Sequence, residues 1–256
     1  MSLLDRNRRF YDVLWRTARI HDPERANTWT VVEEAIGGSD RLLEIGPGLR
    51  PRLPLDVAVF VDSSAVAVAK LRRARAAAIE ADVVALPFAA ASFDVVCALD
   101  VVEHSDHPSA VFDEIARVLR PGGRLIVSVP IHSERWSSYD HVVGHHQRFE
   151  PAALVATLES RRLSVRKSAA FGWMPRTKVF LRASAWILER APRAAIWLED
   201  RIVLPIQRRF QRRLVWSDGF VIPPLADGLI VLCDFADADG ADGADGADGA
   251  DGAIHG

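Results

Sequence analysis

Two acidic residues early in the chain each follow an apolar run, and this placement suits ligand binding. The first run leads to Glu44 and the glycine-spaced turn Gly46-Pro47-Gly48, and the second run, 59–61, ends at Asp62. Glycines let the backbone approach a ligand closely, and a carboxylate at a strand end can accept hydrogen bonds from ribose hydroxyls. The pattern therefore favours a nucleoside-cofactor site at the carboxyl ends of two parallel strands.

Three further segments follow in the same chain order, at 81–88, 92–104 and 119–130. With the first two, they resemble the class I S-adenosylmethionine-dependent methyltransferases, and the match runs without a gap from about residue 41 to 130. The resemblance implies an α/β fold with a Rossmann-like, seven-stranded, mostly parallel sheet and helices on both faces. It also implies S-adenosyl-L-methionine as the cofactor and methyl transfer as the activity.

The resemblance assigns roles to individual positions. The glycine turn faces the methionine part of the cofactor, Glu44 holds that turn by hydrogen bonds, and Asp62 binds the ribose hydroxyls. Asp82 meets the adenine amine, the backbone of Val83 lies beside the ring, and Asp100 lies where the fourth strand opens onto the methyl donor. The implied cofactor site is Glu44, Gly46, Gly48, Asp62, Ser63, Asp82, Val83 and Asp100. A helix N-cap or a solvated strand end is the alternative for each acid, because Asp favours both positions.

The connection after the glycine turn departs from the resembling family. Arg50 stands where a third small residue is usual, and residues 49–56, with two prolines, make up most of the connection to the second strand. Parallel strands need a crossover of about a dozen residues, so we expect a short or broken helix here. Arg50 could reach the cofactor carboxylate or an anionic substrate, or remain a surface arginine.

Two other cofactor classes are disfavoured. Pro51 takes the place of the third glycine in the fingerprint of nicotinamide dinucleotide sites. No phosphate-binding Gly-Lys-Ser/Thr sequence occurs.

A polar segment from Tyr139 to Phe149 carries the candidate substrate chemistry. It resembles the Gly-His-x-Arg-aromatic segment of small-molecule and lipid-carrier-associated members of the superfamily. A histidine near neutral pKa can remove a proton from an attacking hydroxyl or amine, and an arginine can clamp an anionic substrate. We therefore predict His145 as the proton acceptor, with His146 as its alternative, and Arg148 as a substrate-binding residue. The competing interpretation is that these side chains brace the loop against the sheet.

Two further residues, His104 and Asp100, complete the candidate catalytic set. The Glu103-His104 pair recurs at this place in the resembling family, which suggests that His104 faces the pocket. A hydrogen bond at a helix start is the alternative for His104.

Metal binding is a second hypothesis for the histidine-rich segment. His132, His141, His145 and His146 could supply imidazoles to a divalent ion that polarises a hydroxyl. Magnesium, however, prefers oxygen-rich ligand sets, and neither a His-Glu-x-x-His sequence nor a pair of closely spaced cysteines indicates zinc. The sequence therefore predicts no metal site.

Composition indicates a globular enzyme core. The chain has 256 residues, 49 % of them hydrophobic and 26 % charged, enough to bury a substantial core. Cys97 and Cys233 both lie in apolar runs, where a thiol behaves as a small hydrophobe, so we expect no disulfide. The first residues lack an apolar signal core, which predicts a cytoplasmic location.

Residues 172–216 are basic, rich in tryptophan, and placed between the predicted strands at about 163–170 and 228–235. Two or three amphipathic helices are expected in this basic insertion. No uncharged apolar run reaches the roughly 18 residues needed to cross a bilayer. Basic faces with tryptophan suit peripheral contact with the inner face of a membrane, or a lid over an anionic amphiphile. Packing helices with a solvated basic face are the alternative, and no nucleic-acid-binding module accompanies the charge.

The sequence divides into three parts. Residues 1–40 form an N-terminal helical cap, 41–235 the methyltransferase domain, and 236–256 a tail of Ala-Asp-Gly triplets. The triplets offer no hydrophobic face, so we expect the tail to be disordered. Helices are predicted at about 6–20, 64–76, 107–119 and 151–160, and the chain at 131–149 is predicted to be irregular.

These patterns predict S-adenosylmethionine-dependent methyl transfer to a small-molecule or lipid-linked acceptor. The alternative from another class is a non-catalytic S-adenosylmethionine-binding or scaffold protein whose function lies in the basic insertion.

Overall fold

The computed structural model of the protein describes residues 3–171, 178–206, 214–222 and 226–237. The predicted tail beyond residue 237 and parts of the basic insertion lie outside the described residues. The helices are α1 (Leu3–Thr17), α2 (Trp29–Ile36), α3 (Ala65–Arg73), α4 (Pro108–Val118), α5 (Ser138–Val143), α6 (Pro151–Glu159), α7 (Lys178–Arg190) and α8 (Pro192–Leu198). Short 3₁₀ turns lie at Pro23–Arg25, Val102–His104 and Ser133–Arg135, and a π-helical turn, Glu199–Val203, follows α8.

Within the described residues, eight strands form one sheet in the order β3-β2-β1-β4-β5-β8-β6-β7. The strands are β1 (Leu42–Ile45), β2 (Val59–Asp62), β3 (Ala77–Glu80), β4 (Phe93–Leu99), β5 (Leu119–Pro130), β6 (Leu163–Phe171), β7 (Trp216–Asp218) and β8 (Gly228–Phe235). From β3 to β5 all neighbours are parallel, whereas β8 runs antiparallel to β5 and β6. The predicted Rossmann-like α/β fold class is confirmed.

The strand count differs from the seven that were predicted. The additional strand is β7, which pairs antiparallel with residues 167–169 at the edge of the sheet. Three residues are too few to show a periodic hydrophobic pattern, so the sequence carries no signal for this strand.

The central strands lie between two apolar cores. All four residues of β1 are buried; Leu43 belongs to the core on one face of the sheet and Leu42 to the core on the other. Strands that are buried on both faces appear in the sequence as continuous apolar runs. This explains why the apolar runs before the two acids predict strands.

The crossover from β1 to β2 contains turns and no helix. Leu49 and Leu53 are fully buried within it, so the short segment packs onto the sheet where a helix would otherwise lie. The expectation of a short or broken helix is therefore wrong in that no helix forms here, although the connection is as compact as its length requires. By contrast, a regular helix follows β2, because the Ser64 side chain accepts the Ala67 N–H and caps α3.

One helix was missed by the sequence analysis. Residues 131–149 are not irregular throughout, because α5 forms at their centre. It begins at a capping box between Ser137 and Asp140 and ends at Gly144, whose φ of 79° suits glycine. The prediction of an irregular segment is therefore wrong for these residues.

The described part of the basic insertion packs against the same side of the molecule as α1. Helix α8 contacts α1, and α7 contacts both α5 and α8. Among the described residues, no helix combines the length and the apolar character required to span a membrane.

Candidate functional site

A cleft of about 850 Å³, including its open mouth, lies at the carboxyl ends of β1, β2 and β4. Parallel strands of a doubly wound sheet bind ligands at this edge. The residues that line the cleft are Asn7, Arg8, Tyr11, Trp15, Gly46, Asp62, Ser63, Asp82, Val83, Asp100, Val101, His104 and Ser105. Most of the cofactor positions named from the sequence are thus brought together, and four residues of α1 join them.

Asp62 lies at the end of β2 and is almost fully buried. Its two carboxylate oxygens accept the backbone N–H groups of Gly48, at 2.8 Å, and Ser64, at 2.7 Å. Burial raises the pKa of this carboxyl to about 6, while the two backbone hydrogen bonds act in the opposite direction. Each oxygen can accept a further hydrogen bond, which suits a diol in the cleft.

Glu44 does not line the cleft but holds the loop that does. Its oxygens accept the backbone N–H groups of Arg52 and Leu53 at 2.9 Å. The pKa of the carboxyl is raised to about 7, chiefly by burial. Glu44 thereby ties the crossover to the end of β1 and fixes the path of the glycine turn.

The glycine turn has no room for larger side chains. Gly46 has a φ of 64°, and a Cβ there would lie 2.6 Å from Val101 Cγ2. Gly48 has a φ of 53°, and a Cβ would collide with the ring of Trp15. Positive φ together with close contact explains why both positions are glycine.

Ser63, Asp82 and Val83 also line the cleft. The Asp82 side chain accepts the N–H of Val84 at 3.1 Å and is otherwise exposed. Because the Asp82 carboxylate is exposed, its oxygens can still accept hydrogen bonds from a ligand amine. Val83 supplies a partly buried apolar surface next to Asp82.

Asp100 follows β4 with a φ of 55°, a conformation that few residues other than glycine, Asn and Asp adopt. Its carboxylate accepts the Ser128 hydroxyl at 2.8 Å, and its N–H donates to the Ser128 oxygen atoms. Water reaches the side chain through the cleft, yet the surrounding protein desolvates it enough to raise its pKa. The Ser128 hydrogen bond lowers the pKa and partly offsets this effect.

His104 lines the cleft and contacts α1. Its Nδ1 lies 3.2 Å from the Gly144 carbonyl, and its Nε2 lies 3.3 Å from the Tyr11 hydroxyl. Burial, together with the neighbouring His145, lowers the pKa of His104 to about 3. The ring is therefore neutral at physiological pH, with Nδ1 protonated because a carbonyl can only accept.

His145 and Arg148 are not among the residues that line the cleft. The His145 ring packs edge-on against His104, with 4.8 Å between centroids, and its Nδ1 donates to Asp140 at 2.9 Å. Arg148 forms a two-pronged ion pair with Asp140 and also donates to the Ile131 carbonyl. This geometry favours the bracing interpretation for Arg148 over substrate binding, and it places His145 behind His104.

Asp140 is the centre of this buried cluster. It accepts hydrogen bonds from Ser137, His145 and Arg148 and has no exposed surface. Desolvation raises its pKa, but the hydrogen bonds from His145, Arg148 and Ser137 outweigh it, so the net pKa lies well below its ordinary value. A second buried acid, Glu103, has a pKa well above normal because burial and the nearby Asp100 both disfavour its charge.

For the N-terminal helix the resemblance suggests a position over the cofactor, with a plain packing helix as the alternative. Helix α1 lines the cleft with residues that the predicted site did not include. Asn7, Arg8, Tyr11 and Trp15 recur at helical spacing and face the cleft, with the Tyr11 and Trp15 rings stacked at 5.8 Å. The predicted helix at about 6–20 covers these residues, but none of them is among the predicted site residues. The i, i+4 spacing of the polar and aromatic residues was the available signal.

Arg50 is a partly exposed residue of the crossover. Its guanidinium pairs with Glu199 at 2.9 Å. This contact joins the crossover to the π-helical turn of the basic insertion, and Arg50 is not among the residues that line the cleft.

Several known proteins that are similar to this chain are methyltransferases. A methyltransferase domain family matches residues 49–127. An O-methyltransferase of Pyrenophora dematioidea is 34 % identical over 83 residues, which cover 32 % of this chain and 31 % of that protein. The 27-O-demethylrifamycin SV methyltransferase of Amycolatopsis mediterranei is 39 % identical over 100 residues, 34 % of this chain and 37 % of that protein. The chain thus spans about a third of the length of these relatives.

Solved structures extend the likeness to most of the chain. The S-adenosylmethionine-dependent methyltransferase of Methanosarcina mazei covers 81 % of this chain and 97 % of its own, with a TM-score of 0.52 and 13 % identity. At this identity the likeness establishes the fold. The chain therefore shares the fold of these methyltransferases, and its residues 49–127 match a methyltransferase domain family.

Proposed function

We propose that the protein transfers a methyl group from S-adenosyl-L-methionine to a small-molecule or lipid-linked acceptor. The observation that carries this proposal is the cleft itself. It unites Asp62, Asp82 and Val83, which suit a nucleoside, with Asp100 and His104. One cleft therefore offers places for both the methyl donor and an acceptor.

The residues present fit an adenosyl nucleoside. Asp62 would accept the ribose hydroxyls through the free lone pairs of its carboxylate, and Asp82 would accept the adenine amine beside Val83. The backbone of Gly46 could approach the methionine part closely, since the residue has no side chain and an added Cβ would meet Val101 at 2.6 Å. Helix α1 closes the cleft from above through Tyr11 and Trp15.

The bound cofactor would supply a methyl group on a sulfonium, which needs no covalent intermediate with the protein. The chain must align the acceptor with that methyl, exclude water and accept or release a proton. His104 is neutral and lines the cleft, so its Nε2 lone pair can accept a hydrogen bond from an acceptor hydroxyl or amine. Its low pKa makes it a weak proton acceptor on its own, because an efficient base has a pKa near the working pH.

Two relatives support oxygen as the methylated atom. One is named an O-methyltransferase and the other a 27-O-demethylrifamycin SV methyltransferase. We therefore favour a hydroxyl acceptor over nitrogen or carbon for this chain.

The basic insertion supports a peripheral contact with an anionic membrane surface. Trp186, Trp197 and Ile206 are 58 %, 48 % and 54 % exposed. The guanidinium groups of Arg190 and Arg201 lie 5.7 and 5.8 Å from the Trp186 and Trp197 ring centroids. Exposed tryptophan next to arginine suits the interface of an anionic lipid layer, where a lipid-linked acceptor would be presented.

Release of S-adenosylhomocysteine from the purified protein tests the proposal. Phenols, sugar hydroxyls, amines and a polyprenyl-linked acceptor would be supplied in turn, and cofactor affinity would be measured by calorimetry. Release with any acceptor supports the enzyme. Cofactor binding without release across the panel favours the scaffold alternative, and no cofactor binding contradicts the assignment of the cleft.

A matched pair of glycine variants makes the test specific. Gly46→Ala should abolish cofactor binding and release, because its Cβ enters the cleft wall at 2.6 Å from Val101. Gly38→Ala is the control, since its φ is also positive, at 89°, but nothing lies within 4 Å of an added Cβ. Gly38→Ala therefore has similar backbone strain but no steric clash, so its function should stay intact.

A further inference from the structure

Glu103 is a buried carboxyl beside the cleft, and one of its oxygens lacks a partner. The residue is 1 % exposed, and within the described part of the chain Oε2 has no hydrogen-bond partner. Asp100 and Asp140 place further negative charge near it, offset only in part by Arg148. A buried carboxylate that is not paired is strongly disfavoured, because its charge has been removed from water. The hydrogen bonds of the fold therefore do not account for this side chain.

Two imidazoles lie next to the Glu103 carboxyl. Glu103, His104 and His145 each offer one ligand atom, and these atoms lie within 4.8 Å of one another. His145 Nε2 is 3.9 Å from Glu103 Oε1. Metal bonds of about 2.0–2.2 Å place neighbouring ligand atoms roughly 3–3.5 Å apart. Side-chain movements of about 1 Å would therefore bring the three groups to the spacing of metal ligands.

Both imidazoles are held with Nε2 as the nitrogen that carries the lone pair. His145 Nδ1 donates to Asp140 at 2.9 Å, and His104 Nδ1 donates to the Gly144 carbonyl at 3.2 Å. Metal-binding histidines commonly show this arrangement, in which a carboxylate or carbonyl fixes the tautomer and the ring orientation.

The Tyr11 hydroxyl, which now faces His104 Nε2, does not stand in the way of a ligand bond. It also lies 3.2 Å from the Val143 carbonyl, to which it can donate. Tyr11 therefore keeps a hydrogen-bond acceptor when Nε2 binds an ion.

We propose that Glu103, His104 and His145 bind a divalent transition-metal ion next to the cleft, contrary to the expectation from sequence that no metal is bound. The inference rests on the proposed function, because it assigns the ion to the acceptor end of the same cleft. A metal set made of histidines alone, as weighed from the sequence, lacks Glu103, whose carboxyl completes the cluster.

The ligand chemistry favours zinc over magnesium or calcium. Two imidazole nitrogens and one carboxylate oxygen form a set typical of catalytic zinc sites, which keep a fourth position open. Magnesium and calcium prefer sets made of oxygen. The open position suits the oxygen of an acceptor hydroxyl.

An ion at this place would activate the acceptor hydroxyl. His104 alone activates it poorly. A hydroxyl bound to the ion has a lowered pKa and releases its proton to solvent. The oxygen then forms the new bond to the methyl carbon while the carbon–sulfur bond breaks, and that electron pair remains on sulfur. The products are the methyl ether, S-adenosylhomocysteine and one proton.

Calorimetric titration of Zn²⁺ into the chelator-treated full-length protein tests the site without any need for activity. We expect one equivalent to bind, and Co²⁺ in its place to give the visible absorption of a low-symmetry site. Glu103→Gln and His145→Ala should each weaken Zn²⁺ binding by more than about 100-fold, because loss of an outer-shell partner already costs about 10- to 100-fold and these residues are proposed as direct ligands. The control is His141→Ala, an exposed histidine of the same segment, which should bind Zn²⁺ normally.

Cofactor affinity measured on the same samples separates this inference from the proposed function. S-adenosylmethionine should bind Glu103→Gln as it binds the unmodified chain, since Glu103 does not line the cleft. Unchanged Zn²⁺ binding in both Glu103→Gln and His145→Ala overturns the site. So does loss of Zn²⁺ binding in His132→Ala alone, because it would assign the ion to the second cluster, His132, Glu134 and Glu150. Methyl transfer without any Zn²⁺ binding overturns the metal site and leaves the proposed function standing.

Discussion

The carboxylate of Asp62 accepts the backbone N–H of Gly48 at 2.8 Å and so joins the end of β2 to the glycine turn that follows β1. One side chain thereby fixes the floor of the cleft and presents its remaining lone pairs to it. The same residue holds Ser64, the N-cap of α3, through its second oxygen. Ligand binding and the local path of the chain therefore depend on the same carboxylate.

Replacing Asp62 should weaken cofactor binding strongly. We expect Asp62→Ala to lose about 1.5–3 kcal/mol of S-adenosylmethionine affinity, the scale of hydrogen bonds to a charged group. Calorimetry on the folded variant measures the loss. Asp113→Ala is the control, because Asp113 is an exposed acid on α4. Equal affinities of the two variants would contradict the ribose-binding role.

Cofactor affinity should also depend on pH through the same residue. The pKa of Asp62 is raised to about 6 by burial, and the ionised form has the free acceptor positions that two hydroxyl donors require. Protonation competes with binding as the pH falls below about 6. The dissociation constant should then rise by up to about tenfold per pH unit, as for a single titrating group.

Asp62→Asn supplies the control for this pH profile. The amide does not titrate, so its weaker binding should stay nearly constant between pH 5 and 7. A flat profile for the unmodified chain over that range would exclude titration of Asp62 as a determinant of affinity.

The sequence could identify the sheet because its central strands are buried on both faces. The apolar runs that precede Glu44 and end at Asp62 are continuous, and strands β1 and β2 form there. A three-residue edge strand such as β7 offers no comparable pattern. In contrast, α5 could have been found, since Ser137 and Asp140 have capping-box spacing and Gly144 lies at the end of the helix.

The candidate site was less predictable, because it depends on the directions of side chains. Position in the chain suggests that His145 and Arg148 face the acceptor. The structure turns both toward Asp140, a residue that α5 buries beneath them. His104 remains in the cleft wall, next to a tyrosine from α1 that is 93 residues away in sequence. Contacts between residues so far apart in the sequence leave no local sequence pattern that would predict them.

The ion pair of Arg148 with Asp140 should contribute to stability. Arg148→Ala would leave the Asp140 carboxylate buried and short of donors, so we expect a loss of about 3–5 kcal/mol in the free energy of unfolding. Arg120→Ala is the control, because its ion pair with Asp94 is partly exposed and should contribute about 1 kcal/mol or less. Chemical denaturation measures both values. A stable Arg148→Ala enzyme with a raised KM for an anionic acceptor would instead support substrate binding.

The exposed tryptophans of the basic insertion lead to a prediction about membranes. If Trp186 and Trp197 enter an anionic lipid surface, the protein should cosediment with phosphatidylglycerol vesicles at low salt. Basic residues near such a surface contribute about 1 kcal/mol each and are screened within a Debye length of about 8 Å at physiological ionic strength. Binding should therefore fall steeply as salt is added.

A matched comparison separates insertion from simple charge attraction. Trp186→Ser with Trp197→Ser should lose vesicle binding, because both rings are exposed and their removal leaves the core intact. The control is Trp136→Ser. Trp136 is also partly exposed, but it follows the 3₁₀ turn Ser133–Arg135 and lies outside the insertion. Neutral phosphatidylcholine vesicles should bind neither the unmodified chain nor the variants, since the charge attraction is missing. No binding of the unmodified chain to anionic vesicles at low salt would contradict membrane contact and leave α7 and α8 as packing helices over α1 and α5.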